Sequence, residues 1–208
     1  MFADASAFNQ SLDNWDVSSV QNMQLMFARA SAFNSSLNGW DVSSVTNMRN
    51  IFLDALAFNQ NITQWNTSSV TNMYGIFTRA RSFNQNIADW DTSNVTNMRY
   101  LFAGTDNFNQ DIGGWDVSNV TDMRNMFESA TSFNQDLSGW CVQNITSVPQ
   151  DFDYNSALTI EHRPIWGTCP AECTITYGQY ATSFTTTETI PNMSNELRVF
   201  YLNETCSD

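Results

Sequence analysis

The sequence contains no lysine: all eight basic residues are arginine, set against 21 acidic ones, for a formal net charge of −13 over 208 residues. It has a single histidine, His162, and only four cysteines, four prolines and eight glycines. Each scarcity removes a chemistry. Without lysine there is neither a Walker-type phosphate loop nor a Schiff-base nucleophile. One histidine cannot build an HExxH zinc site, and it leaves any Ser-His or Cys-His mechanism one candidate base. An acidic field repels phosphate, which argues against a nucleic-acid partner. No apolar run reaches transmembrane length and no leader pattern opens the chain, so membrane insertion is not expected. What is present, 42% hydrophobic and 13% aromatic residues, suffices for a packed core.

The aromatic residues are periodic. Phe2, Phe27, Phe52, Phe77, Phe102, Phe127 and Phe152 fall 25 apart, as do Trp15, Trp40, Trp65, Trp90, Trp115 and Trp140. One unit reads F-x-x-A-x-x-F-N-Q-x-[LI]-x-x-W-[DN]-[VT]-S-x-V-T-x-M. Gapless spacing marks each unit as one coil of a stack. Within a coil, Trp115 to Ser118 alternates apolar and polar residues, which predicts a short strand. Val120, Met123, Phe127 and Ala130 then recur at three and four residues, which predicts a short helix. The Ser or Asn at positions 19, 44, 69, 94, 119 and 144 stands where a helix cap belongs. The predicted class is therefore α/β: a leucine-rich-repeat-like solenoid of six 25-residue strand-plus-short-helix coils over residues 1–151. Its strands should pair about 4.7–4.9 Å apart. Residues 152–208 are expected to form a β-rich, disulfide-containing C-terminal cap or linking segment. Thr-rich alternation at 174–190 and an apolar run at 197–202 predict its strands.

Leu12-x-x-Trp15-x-Val17 fits the L-x-x-L-x-L frame, and the phrase F-N-Q-[DN]-[LI]-x-x-W-[DN]-[VT]-S-N-V-T-[ND]-M recurs through residues 1–151. It resembles the tandem repeats of BspA-like leucine-rich-repeat surface proteins and a related mycoplasma repeat family of unknown function. The resemblance implies a cell-surface or secreted protein, often linked to adhesion, and carries over no catalytic residue.

The repeat sorts its polar residues into columns. Asn9, Asn34, Asn59, Asn84, Asn109 and Asn134 follow a core Phe in every copy, the place for an asparagine ladder that satisfies backbone groups of the adjacent coil. Asp16, Asp41, Asp91 and Asp116 project from the open face if the neighbouring Trp faces the core. Asn66 and Cys141 interrupt that row. Three roles compete for it: local Asx turns, a calcium or other hard cation, and a binding face for a sugar or cationic partner. Paired carboxylates also evoke glycosidases, but a column gives every acid one environment where that chemistry needs two. No cofactor is therefore assigned, and the chain is read as non-enzymatic. His162 is read as a surface or cap residue.

Cys141, Cys169, Cys173 and Cys206 lie at or beyond the edge of the repeats, so two disulfides in a secreted protein are expected. Three connectivities are open. Cys141 with Cys169 and Cys173 with Cys206 is preferred, tying the cap to the stack and anchoring the tail. Of nine N-x-[ST] frames, Asn61, Asn66, Asn94, Asn119, Asn144, Asn192 and Asn203 are the glycan candidates for a eukaryotic secretory source, Asn9 and Asn34 being assigned to the ladder. Met1 fits the repeat in register, so it reads as a repeat residue in a chain that starts mid-coil. The function expected is structural or adhesive, at the cell surface or outside the cell, with another surface protein, a glycan or a second copy as partner. Two variants are a head-to-tail filament built from the first coil and the C-terminal strands, and an adhesin using the Asp-bearing face.

Overall fold

A computed structural model describes residues 1–170, 172–175 and 204–207. The chain divides into two units, Met1–Thr168 and Cys169–Asp208. The second contributes one antiparallel pair, β1 (Glu172–Ile175) and β2 (Glu204–Ser207), whose register sets Cys173 opposite Cys206. The predicted strand at 197–202 and most of the Thr-rich stretch lie outside the described residues.

The α/β expectation is overturned. Among the described residues the only regular elements are β1, β2 and a three-residue 3-10 helix, Ile160–His162. No repeat holds the predicted strand or the predicted helix, so the first unit is not an α/β solenoid. Nor is a two-strand pair a β-rich segment. Each repeat is instead a succession of hydrogen-bonded turns.

The segment Met98–Thr105 shows why. Leu101, Ala103 and Thr105 donate their N–H groups to the carbonyls three residues back, closing overlapping turns. The intervening Met98, Tyr100, Phe102 and Gly104 donate instead to Asp122, Arg124, Met126 and Glu128 of the next repeat, at 2.7–3.1 Å. A helix would direct all of these N–H groups along its own axis. Here every second one leaves the coil, and left-handed residues at Tyr100 (φ 57°) and Gly104 (φ 64°) turn the chain so that it can. Consecutive turns bring apolar side chains inward at three- and four-residue intervals, the same spacing that a helix produces. The alternation after each tryptophan is likewise a turn, with Val120 N–H on the Val117 carbonyl. With no helix to start, the Ser/Asn positions 19 to 144 cap nothing.

Of these inter-repeat bonds only isolated parallel bridges have the pairing of strands, Asn22 to Asn47 to Asn72 to Asn97 to Asp122. The aromatic rings repeat with the coils. Phe2, Phe27, Phe52, Phe77, Phe102 and Phe127 stack with centroids 5.6–5.9 Å apart, wider than paired strands. A second column from Phe8 to Phe133 runs beside it at 5.7–6.0 Å, and within each coil the two rings stack at 3.8–4.1 Å. The separations along each column suit offset aromatic stacking, while the closer pair within a coil is more nearly face to face. Each tryptophan from Trp40 onward donates its indole N–H to a carbonyl of the preceding coil, Trp90 to Ile62 at 3.2 Å for example.

The last coil slips by one residue. Phe102 bonds to the residue 24 positions on, Met126, whereas Phe127 bonds to Phe152. The left-handed residues move to Asp151 and Asn155, one place later than the period requires. Pro149 explains the slip. It occupies the position of Arg124, whose N–H closes a turn on Asp122 Oδ1, and proline has no N–H to give. Phe152 consequently meets Phe127 edge-on rather than stacked, with Trp166 edge-on against it. Register is regained at Thr159, which donates to Asn134 Oδ1.

Candidate functional site

The asparagine column is a ladder. Oδ1 of Asn9, Asn34, Asn59, Asn84 and Asn109 accepts the backbone N–H of the next asparagine in the column, at 2.8–3.1 Å. From Asn34 onward the same oxygen also accepts Nε2 of the following coil's Gln60, Gln85, Gln110 or Gln135. His162 ends the ladder, its Nδ1 2.9 Å from Asn134 Oδ1.

The aspartates of the open row are exposed, and each is used by its own turn. Oδ1 of Asp16, Asp41, Asp91 and Asp116 accepts the N–H two residues on, at 3.0 Å, and Asp16 and Asp91 accept the serine hydroxyl as well. Hydrogen bonding to the serine hydroxyl, then to its amide, holds Asp16 and Asp91 below the usual carboxylate range, and the Ser43 side chain and amide lower Asp41 in the same direction. Repulsion from Asp16 raises Asp41 in return, as the smallest of the contributions. Asn66 takes the same two bonds from Ser68, so the turn requires an oxygen and not a charge. Among the described residues no three His, Cys, Asp or Glu side chains converge as a metal site would require.

Two further columns do the same work and were hidden by their exchange of residue types. Ser11, Ser36, Asn61, Asn86, Asp111 and Asp136 form one, Asn22, Asn47, Asn72, Asn97 and Asp122 the other, each oxygen accepting the N–H two residues later. Their signal in the sequence is the Ser/Asn/Asp alternation itself.

The glycan candidates separate into two groups. Asn61 and Asn66 are exposed, and only their Oδ1 atoms are bonded. Asn94, Asn119 and Asn144 donate Nδ2 to the carbonyls of Ser68, Ser93 and Ser118 at 2.6–2.8 Å, which engages the nitrogen that would carry sugar. Asn192 and Asn203 lie outside the described residues. Cys141 and Cys169 are both disulfide-bonded.

A column at variable positions of the repeat carries residues that the repeat phrase does not contain. Gln24, Arg49, Tyr74, Arg99 and Arg124 form this column. The Arg49 guanidinium lies 4.5 Å from the Tyr74 ring centre and that of Arg99 4.8 Å from Tyr100, while the two tyrosines meet edge-on at 5.7 Å. Beside them a groove is lined by Asn50, Leu53, Tyr74, Thr78, Arg79 and Tyr100. Gly75 opens it. The equivalent residues Leu25, Asn50, Tyr100 and Asn125 share its left-handed backbone but carry side chains.

The family model described as "Mycoplasma protein of unknown function, DUF285" matches residues 1–80 and 57–163. The chain belongs to this family. The two matched ranges together cover the repeats and run through His162 at the end of the ladder. No curated protein and no solved structure matches the chain. Among the described residues no helix is long and apolar enough to cross a membrane.

Proposed function

We propose that the chain is a non-enzymatic structural and adhesive module that works outside the cell or at its surface. The observation that carries this reading is the uniform use of polar side chains for construction. Ladder asparagines, Asx oxygens and indole N–H groups all serve backbone atoms of their own or the neighbouring coil. A stack built in this way presents the same polar edge many times over, which suits multivalent attachment to a glycan or another surface protein. The disulfide-bonded Cys141 and Cys169 fit an oxidising compartment, and the repeat phrase resembles BspA-like surface proteins. In a eukaryotic secretory source, Asn61 and Asn66 are the preferred glycan carriers because their amide nitrogens are uncommitted. Labelling intact cells with a membrane-impermeant carboxylate-directed reagent, for which the chain offers 21 acidic side chains and no competing lysine, tests the location. Labelling only after lysis would overturn the reading.

A second reading is a head-to-tail filament, in which the aromatic rail that keeps Trp40 to Trp140 only 1–4% exposed within the stack continues from one copy into the next. Heterologous contacts of that kind grow into open fibres. Electron microscopy of the purified full chain distinguishes the two, because an adhesive module stays as single particles at all concentrations. An adhesin acting through Asp16, Asp41, Asp91 and Asp116 would lose its binding when those four become Asn while its melting point is kept.

A further inference from the structure

We propose that the strip formed by Arg49, Arg99, Tyr74 and Tyr100, with the groove that the two tyrosines line, is a binding site for an acidic saccharide, with carboxylate or sulfate groups held by the two guanidiniums and the sugar ring lying against Tyr74 and Tyr100. Charge distribution singles the place out. Arg29, Arg79, Arg81, Arg124 and Arg163 each pair with an aspartate, whereas among the described residues Arg49 and Arg99 are in no ion pair. Both rest on tyrosines instead, and Arg99 Nε is buried without a hydrogen-bond partner. Arg124 stands in the same column, and Asp122, the carboxylate in its field, is already held by Arg124 at 2.6 Å. A locally cationic, aromatic strip thus sits on a chain of net charge −13.

Shape supports the ligand class. At Gly75 a Cβ would lie 2.3 Å from Asn50 Oδ1 and 2.9 Å from Thr78 Oγ1, so a side chain there would fill the floor. Asn50 adds to the lining an amide of the kind that sugar hydroxyls bond to, the Thr78 hydroxyl being already donated to the Tyr100 carbonyl at 2.7 Å, and tyrosine gives an apolar body with a polar tip. Arg49 and Arg99 are two coils apart and lie two residues from the parallel bridges Asn47 to Asn72 to Asn97, so at the spacing of paired backbone their attachment points are separated by about 10 Å, a spacing that selects a polymer with regularly placed anionic groups. Guanidinium is the side chain suited to planar carboxylate and sulfate groups. The overall negative field opposes approach, but screening confines it to about 8 Å at physiological ionic strength.

The test uses the full chain at physiological ionic strength against immobilised heparin, polygalacturonate and neutral dextran. The expected result is retention on heparin, polygalacturonate or both and none on dextran; the first two separate sulfate from carboxylate recognition. R49Q/R99Q should weaken binding by about tenfold or more, the loss of at least one charge-assisted hydrogen bond. Y74A should weaken it less, and R81Q, which alters a different ion pair, should leave it unchanged. Thermal melts of all variants establish that they are folded. No retention of the wild-type chain on either polyanion overturns the proposal, as does equal retention of folded R49Q/R99Q. Sedimentation separates the other candidate occupant: self-association that R49Q/R99Q abolishes, without polyanion binding, would assign the strip to a second copy's Asp row and overturn the saccharide. The site does not depend on the proposed location, so failure of surface labelling leaves this test standing.

Discussion

Trp15 and Trp90 occupy the same position of the same repeat, each followed by Asp, Val or Thr, and Ser, yet one is 42% exposed and the other 3%. Trp90 has a preceding coil whose Ile62 carbonyl takes its indole proton at 3.2 Å; Trp15 has no such bond. Phe77 and Phe2 differ in the same way, the first fully buried between Phe52 and Phe102 and the second half-buried. In a stack the environment of a residue is supplied by its neighbours 25 positions away, so identical local sequence acquires different energies.

The largest effect that should separate the two regions is truncation of the ring column. Phe77→Ala should cost about 3–5 kcal/mol by urea denaturation, because the cavity lies between rigid rings that cannot collapse into it. Phe2→Ala should cost markedly less, and equal losses would break the comparison. Next comes the ladder. Asn59→Ala leaves the N–H of the partly buried Asn84 and the amide of Gln85 without their acceptor, for an expected loss of about 1–3 kcal/mol. The same change at Asn9 should cost less, since Asn34 and Ser35, which it serves, are nearer solvent. Gly75→Ala should destabilise by roughly 1–2 kcal/mol, from its left-handed backbone and the close approach of Asn50.

The smallest effect belongs to the open row. Asp91→Asn should change stability at neutral pH by less than about 0.5 kcal/mol, because Asn66 already closes the same turn with an amide. Its pH dependence is the sharper measurement. The folded state lowers the pKa of Asp16, Asp41 and Asp91, so each contributes stability that is present above its unfolded pKa and lost as pH falls through the lowered folded value. Acid unfolding followed by near-UV circular dichroism should therefore be shallower below about pH 4 in D41N/D91N than in the parent chain. A steeper curve would show that repulsion along the row outweighs the serine hydrogen bonds.

Much of this could be read in the sequence. Gapless columns of Phe and Trp named the core, and an Asn after every second Phe named the ladder, since a polar residue fixed beside a core ring must serve buried backbone. The secondary structure could not be read there. Met123, Phe127 and Ala130 follow a three- and four-residue rhythm that a helix shares with consecutive turns; what separates them is where the N–H groups of Asn125, Phe127 and Ser129 go, and their acceptors lie in another coil. Phe152 keeps the period in sequence and loses it in space, because Pro149 withholds the N–H that sets register. The Arg49–Tyr74–Arg99 strip was invisible for the opposite reason: it lies where the repeat varies, and although Arg99 and Tyr100 are chain neighbours, Arg49 meets Tyr74 and Tyr74 meets Tyr100 only across coils.

The sequence alone determined the period, the identity of the core columns and the acidic, lysine-free surface, since these depend only on residue type and spacing. Tertiary structure decided that the coils are turns rather than strand and helix, which tryptophan is buried, and where arginine meets tyrosine. The burial of the tryptophans, the routing of the N–H groups and the Arg49–Tyr74 contact depend on hydrogen bonds and ring contacts between residues about 25 apart, which no window within a single repeat contains.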